Sequence, residues 1–238
     1  MAPRNKPAAS KGSDLRIFYI ILALVAVVGL GTLGARVLGS RAGGAVLEPI
    51  ELEGIENPRA LFEMARPMSK GSPEAPVKLV VFSDYQCPYC AQFASMVNLR
   101  LKAEYLDAGK VYLEYYDFPL GGGHKHSFVA ARAARCAGDQ GRFWEYHDLL
   151  FGQQSRWSLE ERTPLAQFEE YAGQLGLNTE EFRSCVRSDR HADVVTANRL
   201  LGEQLGVTGT PYLLINNKRV TNWGFNDLKR LIDAELGE

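Results

Sequence analysis

The chain has 238 residues, of which 46% are hydrophobic and 23% charged. That is the composition of a folded domain with material for a sizeable core, and it excludes collagen-like and low-complexity chains. A formal net charge of −1 removes the broad electrostatic attraction that nucleic-acid binding requires.

The first residues obey different physics from the rest. Arg4, Lys6, Lys11 and Arg16 stand in residues 1–16, opposed only by Asp14. From Ile17 to Ala35 no residue is charged, and Arg36 follows. At about 1.5 Å per residue the run spans roughly 28 Å, close to the hydrocarbon thickness of a bilayer. A buried core helix would carry a polar stripe, and this run has none. The run also exceeds the usual apolar region of a cleaved signal peptide. The expectation is a single transmembrane anchor over 17–36. The basic excess before it keeps the N-terminus cytoplasmic and puts everything after it outside the cytoplasm, at the cell membrane. Disulfides persist there.

Residues 37–65 carry little periodicity and read as a linker. Turn chemistry in Ser69–Pro76 places the start of a domain near residue 66. Val77–Phe82 is a short apolar, β-branched run, which suits a strand buried on both faces. Pro88 fits the first turn of a helix, and Cys90, Ala94, Val97, Leu101 and Tyr105 continue it at helical spacing up to Gly109. Lys110–Tyr116 reads as a second strand, far enough away for a parallel crossover. Helical segments follow at Ser127–Ala137, Phe143–Phe151, Pro164–Leu175, Glu180–Arg187 and Ala192–Leu205. Tyr212–Ile215 is a strand, Asn216-Asn217-Lys218 a tight turn, Arg219–Thr221 a return strand and Asn226–Leu236 a last amphipathic helix.

Cys87 and Cys90 stand at the junction of the first strand and its helix, in Cys87-Pro88-Tyr89-Cys90. A zinc ribbon needs a second closely spaced ligand pair. Cys136 and Cys185 are far apart, and His124, His126, His147 and His191 show no such spacing, so no metal is expected. A purely structural bridge across so short a loop would stabilise little. A reactive dithiol gains from the position, because unpaired N–H groups at the helix start favour the Cys87 thiolate. Cys87 then attacks and Cys90, one turn further on, resolves.

The run VVFSDYQCPYC, followed far downstream by GVTGTPYLLIN, resembles the DsbA-like branch of the thioredoxin superfamily. DFPLGGGHKHSFVAARAARCAGDQGRFWEYHDLLF resembles the point where that family inserts a helical domain. The resemblance covers roughly residues 66–238. It implies an α/β thioredoxin-like fold with a helical insertion at about 120–206, following the one N-terminal transmembrane helix. It also implies that Cys87 and Cys90 are the redox pair, that Pro211 is the family's cis-proline, and that Thr210 and Pro211 form the loop meeting the substrate. The chain departs from the pattern at Val81, where the best-known members carry a buried acid. Asp84 could replace that acid through a water, or be a solvated turn residue. Pro88 and Tyr89 would tune the thiols. Cys136 and Cys185, each in an insertion helix, either pair or remain buried thiols. An oxidising compartment favours pairing, in a loop worth about 4 kcal/mol on the chain-entropy estimate. His124 reads as a cap or packing group, and Trp144, Tyr146 and His147 read as core.

The function implied is a membrane-anchored thiol:disulfide oxidoreductase that gives its Cys87–Cys90 disulfide to folding proteins with free thiols. No cofactor is implied. A DsbB-like or vitamin-K-epoxide-reductase-like quinone-linked membrane oxidase would restore the disulfide. The rival readings are a reductase or isomerase on the same fold, and a redox-inert binding module or chaperone.

Overall fold

The computed structural model describes residues 44–55, 57–95 and 99–238. The expected anchor at 17–36 lies outside the described residues, as does Val97. Among the described residues no helix is long and apolar enough to cross a membrane.

The order of elements is α1 (Pro58–Met64), β1 (Met68–Lys70), β2 (Val77–Ser83), α2 (Pro88–Phe93), α3 (Leu99–Leu101), β3 (Val111–Asp117) and α4 (Ser127–Gly138). Then come α5 (Phe143–Gly152), α6 (Gln154–Trp157), α7 (Leu165–Gln174), α8 (Thr179–Arg187), α9 (Ala192–Gln204), β4 (Tyr212–Ile215), β5 (Lys218–Val220) and α10 (Phe225–Leu236). The sheet order is β1-β3-β2-β4-β5. β2 and β3 run parallel, and the other pairs are antiparallel. Clusters of apolar side chains cover both faces of β2, which explains its nearly continuous apolar sequence.

Alternation then divides the core. Val77, Leu79 and Val81 face the larger cluster with Leu113, Tyr115, Leu213 and the insertion helices. Phe82 points the other way, onto Tyr116, Phe118, Leu61, Ala197 and Leu201. The second face is therefore closed by α1 and α9. This corrects two expectations. Residues 58–64 are not linker: Asn57 caps α1 by accepting from Arg59 N–H at 2.9 Å, and Leu61 and Ala65 are fully buried. Nor does α9 belong to the insertion alone: Ala197 and Leu201 cover the second face of the sheet, while Val194 and Val195 pack in the larger cluster with the insertion helices. Further upstream, Ile50 N–H donates to the Thr196 hydroxyl of α9 at 3.1 Å, so that stretch is also held.

The helix expected from Pro88 to Tyr105 is not one regular rod. α3 continues as a wider π-type turn over Lys102–Leu106. The extra residue in that turn lets consecutive Tyr105 and Leu106 both face the core. The hairpin after β4 is tighter than expected. Asn216 and Asn217 take φ of 44° and 68°, a backbone that asparagine tolerates, and Ile215 pairs with Lys218. The return strand therefore starts one residue before Arg219.

In the insertion, α4 is the central rod, and its alanines allow close approach of the neighbouring helices. Cys136 of α4 and Cys185 of α8 form a disulfide with a Cα–Cα distance of 5.9 Å. Arg132, fully buried, donates to the carbonyls of Val46, Arg190 and Ser188, and burial lowers its pKa to about 10.

Two outcomes follow for stability. A Cβ added at Gly202 would lie 2.6 Å from the Phe118 ring and 3.1 Å from Phe82. Gly202→Ala should therefore cost about 1–3 kcal/mol in denaturant unfolding. Replacing both Cys136 and Cys185 by Ala should cost about 4 kcal/mol while leaving the thiol titration of Cys87 unchanged.

Candidate active site

The site is built where β2 ends. Asp84 folds the turn after the strand: its Oδ1 accepts from Gln86 N–H at 2.6 Å, and its carbonyl accepts from Cys87 N–H at 3.1 Å. This Asx-type turn stops the strand and aims Cys87 at the start of α2. Cys87 is the N-cap, Pro88 takes the first helical position, and the amides of Cys90 and Ala91 donate to the Cys87 carbonyl at 3.1 Å. From the insertion, Gln154 Nε2 donates to the carbonyls of Tyr85 at 2.7 Å and Cys87 at 3.0 Å. Gln86 Nε2 donates to Ser158 O at 2.7 Å. Both domains thus grip the same short turn.

The two cysteines are free thiols in unlike surroundings. Cys87 keeps 4% of its surface, and Cys90 none. The Cys90 thiol beside it, then the Thr210 side chain and the amides of Cys90 and Tyr89, outweigh burial and lower the Cys87 pKa to about 6. Burial first, and the neighbouring Cys87 second, push Cys90 well above the ordinary thiol value. Only the Asp84 amide, 3.5 Å away, and the Ser83 side chain oppose that rise. Across the site the Thr210–Pro211 peptide is cis, and the Cys87 thiol donates to Thr210 O at 3.3 Å. The loop before β4 therefore faces the first cysteine, as the resemblance implies. Tyr89 stands 64% exposed between the cysteines, an aromatic surface at the mouth of the site.

Asp84 departs from one of the two expectations for it. It is not solvated, since its side chain is fully buried. Its Oδ2 accepts from Leu120 N–H at 2.8 Å and meets His124 Nδ1 at 2.9 Å. With both oxygens engaged, it ties the loop after β3 to the turn, and it meets Cys90 through its backbone amide. The bond to Asp84 is the main cause that raises the His124 pKa, so His124 is a charge partner rather than a cap.

Several buried polar groups around the site are not evident in the sequence. Tyr85 and His147 share a hydrogen bond at 3.0 Å between the hydroxyl and Nδ1. Asp117, at the end of β3, is fully buried and pairs with Arg135. Asn198 Oδ1 accepts from Asp117 N–H and from the Arg135 guanidinium. Asp117 could have been suspected, because an acid ends an otherwise apolar-patterned strand. His147 had no such mark. For metal binding, the one candidate group among the described residues is Cys136, Cys185 and His191. Both sulfurs there are already spent in the disulfide.

A family model described as Thioredoxin matches residues 64–234. The chain is 32% identical over 180 residues to the probable disulfide bond formation protein D of Bacillus anthracis, covering 74% of this chain and 81% of that one. It is 36% identical over 168 residues, 70% of this chain, to the Na(+)/H(+) antiporter NhaA 1 of Salinispora arenicola, and spans 24% of that antiporter. Among solved structures, oxidised BdbD from Bacillus subtilis superposes with a TM-score of 0.65 at 22% identity, over 83% of this chain and 99% of that chain. With the CxxC pair at a helix start, the facing cis-proline loop and the helical insertion in one fold, the chain belongs to the DsbA-like thiol:disulfide oxidoreductases of the thioredoxin superfamily.

Proposed function

We propose that this protein gives the Cys87–Cys90 disulfide to client proteins outside the cytoplasm, held at the membrane by residues 17–36. The observation that carries this reading is the opposite displacement of two adjacent thiols: Cys87 down to about 6 and Cys90 upward. A thiolate that is stable at neutral pH stabilises the reduced pair, and so makes the disulfide a stronger oxidant. It is also a good leaving group when a client's second thiolate resolves the mixed disulfide. The name of the Bacillus anthracis relative, a probable disulfide bond formation protein, supports the oxidising direction over the reductase or isomerase reading.

In sequence, a client thiolate attacks Cys87 and Cys90 leaves. The client's second thiolate then attacks the mixed disulfide, and the dithiol is released. Thr210, with Pro211 cis behind it, stands where an extended client segment can add along the loop. A quinone-linked membrane oxidase would accept the two electrons from the reduced pair. The support for the anchor is the uncharged run from Ile17 to Ala35 with the basic residues before it.

Two measurements test this reading. Alkylation of the reduced protein should show Cys87 reacting half-maximally near pH 6. The sign follows from the lowered value: thiolate is present above that pH and lost below it. A midpoint at the ordinary thiol value of about 8.5 would refute the activated thiolate. Cys90→Ser should accumulate mixed disulfides with client proteins, and Cys87→Ser should not. Trapping only by Cys87→Ser would reverse the roles.

A further inference from the structure

Beneath Cys90 lies a cavity of about 10 Å³, room for about one water. Its walls include Val81, Ser83, Cys90, Tyr115 and His147. Val81, on this wall beside Cys90, offers no acid that could take the Cys90 proton. His147 is 1% exposed. Its Nδ1 is taken by Tyr85, and its Nε2 has no hydrogen-bond partner among the described residues. The Tyr115 hydroxyl on the same wall is also without one. Buried polar atoms rarely stay unpaired, and although most of the cavity wall is apolar, His147, Tyr115, Ser83 and the Cys90 sulfur give a single water there enough partners. Ala94, Leu113, Trp144 and Phe151 are shared with a second cavity, of about 250 Å³, which reaches the surface at exposed Asp148.

We propose that His147 positions a single water against the Cys90 sulfur, and that this water carries the Cys90 proton to and from solvent. The inference rests on the dithiol reading of Cys87 and Cys90. When a client thiolate attacks Cys87, the Cys87–Cys90 S–S bond breaks and a client–Cys87 S–S bond forms. The electron pair leaves on Cys90. The water protonates that thiolate and recovers a proton from solvent through the larger cavity. In the reverse direction Cys90 gives its proton to the water as its sulfur attacks the mixed disulfide. His147 stays neutral throughout, since burial, with the Lys70 charge adding to it, holds its pKa near 3. In the tautomer in which Tyr85 donates to Nδ1, Nε2 carries the ring proton and gives the water a donor. The charged and titratable groups facing this cluster are Cys87, Tyr85, Tyr115, Asp117 and Lys70, with Arg135 beyond Asp117 and Asp148 at the mouth of the larger cavity.

The test uses the full-length protein carrying glutathione as a mixed disulfide on Cys87, and follows its release by Cys90 across pH. His147→Phe should slow release at pH 7 by about tenfold or more and move its pH profile upward, with the Cys87 thiolate titration unchanged. His147→Gln, which keeps a donor, should recover most of the rate. Val81→Ile should fill the cavity and produce the same slowing with His147 intact. Release by His147→Phe at the wild-type rate and pH profile overturns the proposal. So does an equal loss at every pH that Gln does not rescue. If His147→Phe fails to fold, a wild-type profile in Val81→Ile overturns it instead. If no mixed disulfide forms on Cys87 in the unmodified protein, the dithiol reading itself fails.

Discussion

Everything at the site depends on β2 being paired along both edges. Its partner β3 runs parallel and brings Ser83 level with Asp117. Its partner β4 runs antiparallel and brings Phe82 level with Tyr212. Pairing on two sides leaves no freedom to slip, because a shift of one residue would turn Val81 and Phe82 onto the wrong faces. With the register held, the chain leaves the sheet at Ser83 beside the point where Pro211 enters it. The first cysteine must then meet the Thr210 loop. The chemistry is a consequence of where three strands end.

The same constraint accounts for the buried polar groups gathered there. Strand ends carry backbone amides and carbonyls that no ladder satisfies, and burying them unpaired is costly. Asp84 answers three donors around one turn, and Gln154 answers two carbonyls from across the insertion. Asp117 and Arg135, with Asn198, join β3 to α4 and α9. A buried ion pair of this kind contributes little net stability, but removing one member leaves a buried charge without its partner. Burial raises the Asp117 pKa and Arg135 opposes that rise. The pair therefore acts as a geometric pin between sheet and insertion.

Sequence patterns revealed the elements whose periodicity is strong. The apolar run Val77–Phe82, the alanine-rich helix holding Cys136 and the hairpin at Asn216-Asn217 could all be read locally, because period and turn chemistry are local properties. The CxxC pair and the Thr210-Pro211 step were legible for the same reason. α1 was missed because two turns with one fully buried leucine leave too little periodicity to detect. α9 was assigned to the insertion because amphipathicity reports that a helix has an apolar face, and not which surface that face covers. His147 could not be singled out. Its meaning comes from a cavity walled by β2, β3, α2 and α5, and no spacing along the chain encodes that meeting.

The contrast between the two cysteines follows from the same architecture. Cys87 caps α2 at the rim, where amides, the Cys90 thiol and Thr210 can reach its sulfur. Cys90, three residues on, has turned inward by one helical step and lies against the sheet, fully buried. Burial disfavours a charge that no cation or acid compensates, so Cys90 holds its proton while Cys87 releases one. One helical turn is thus enough to place two identical side chains on opposite sides of neutral pH.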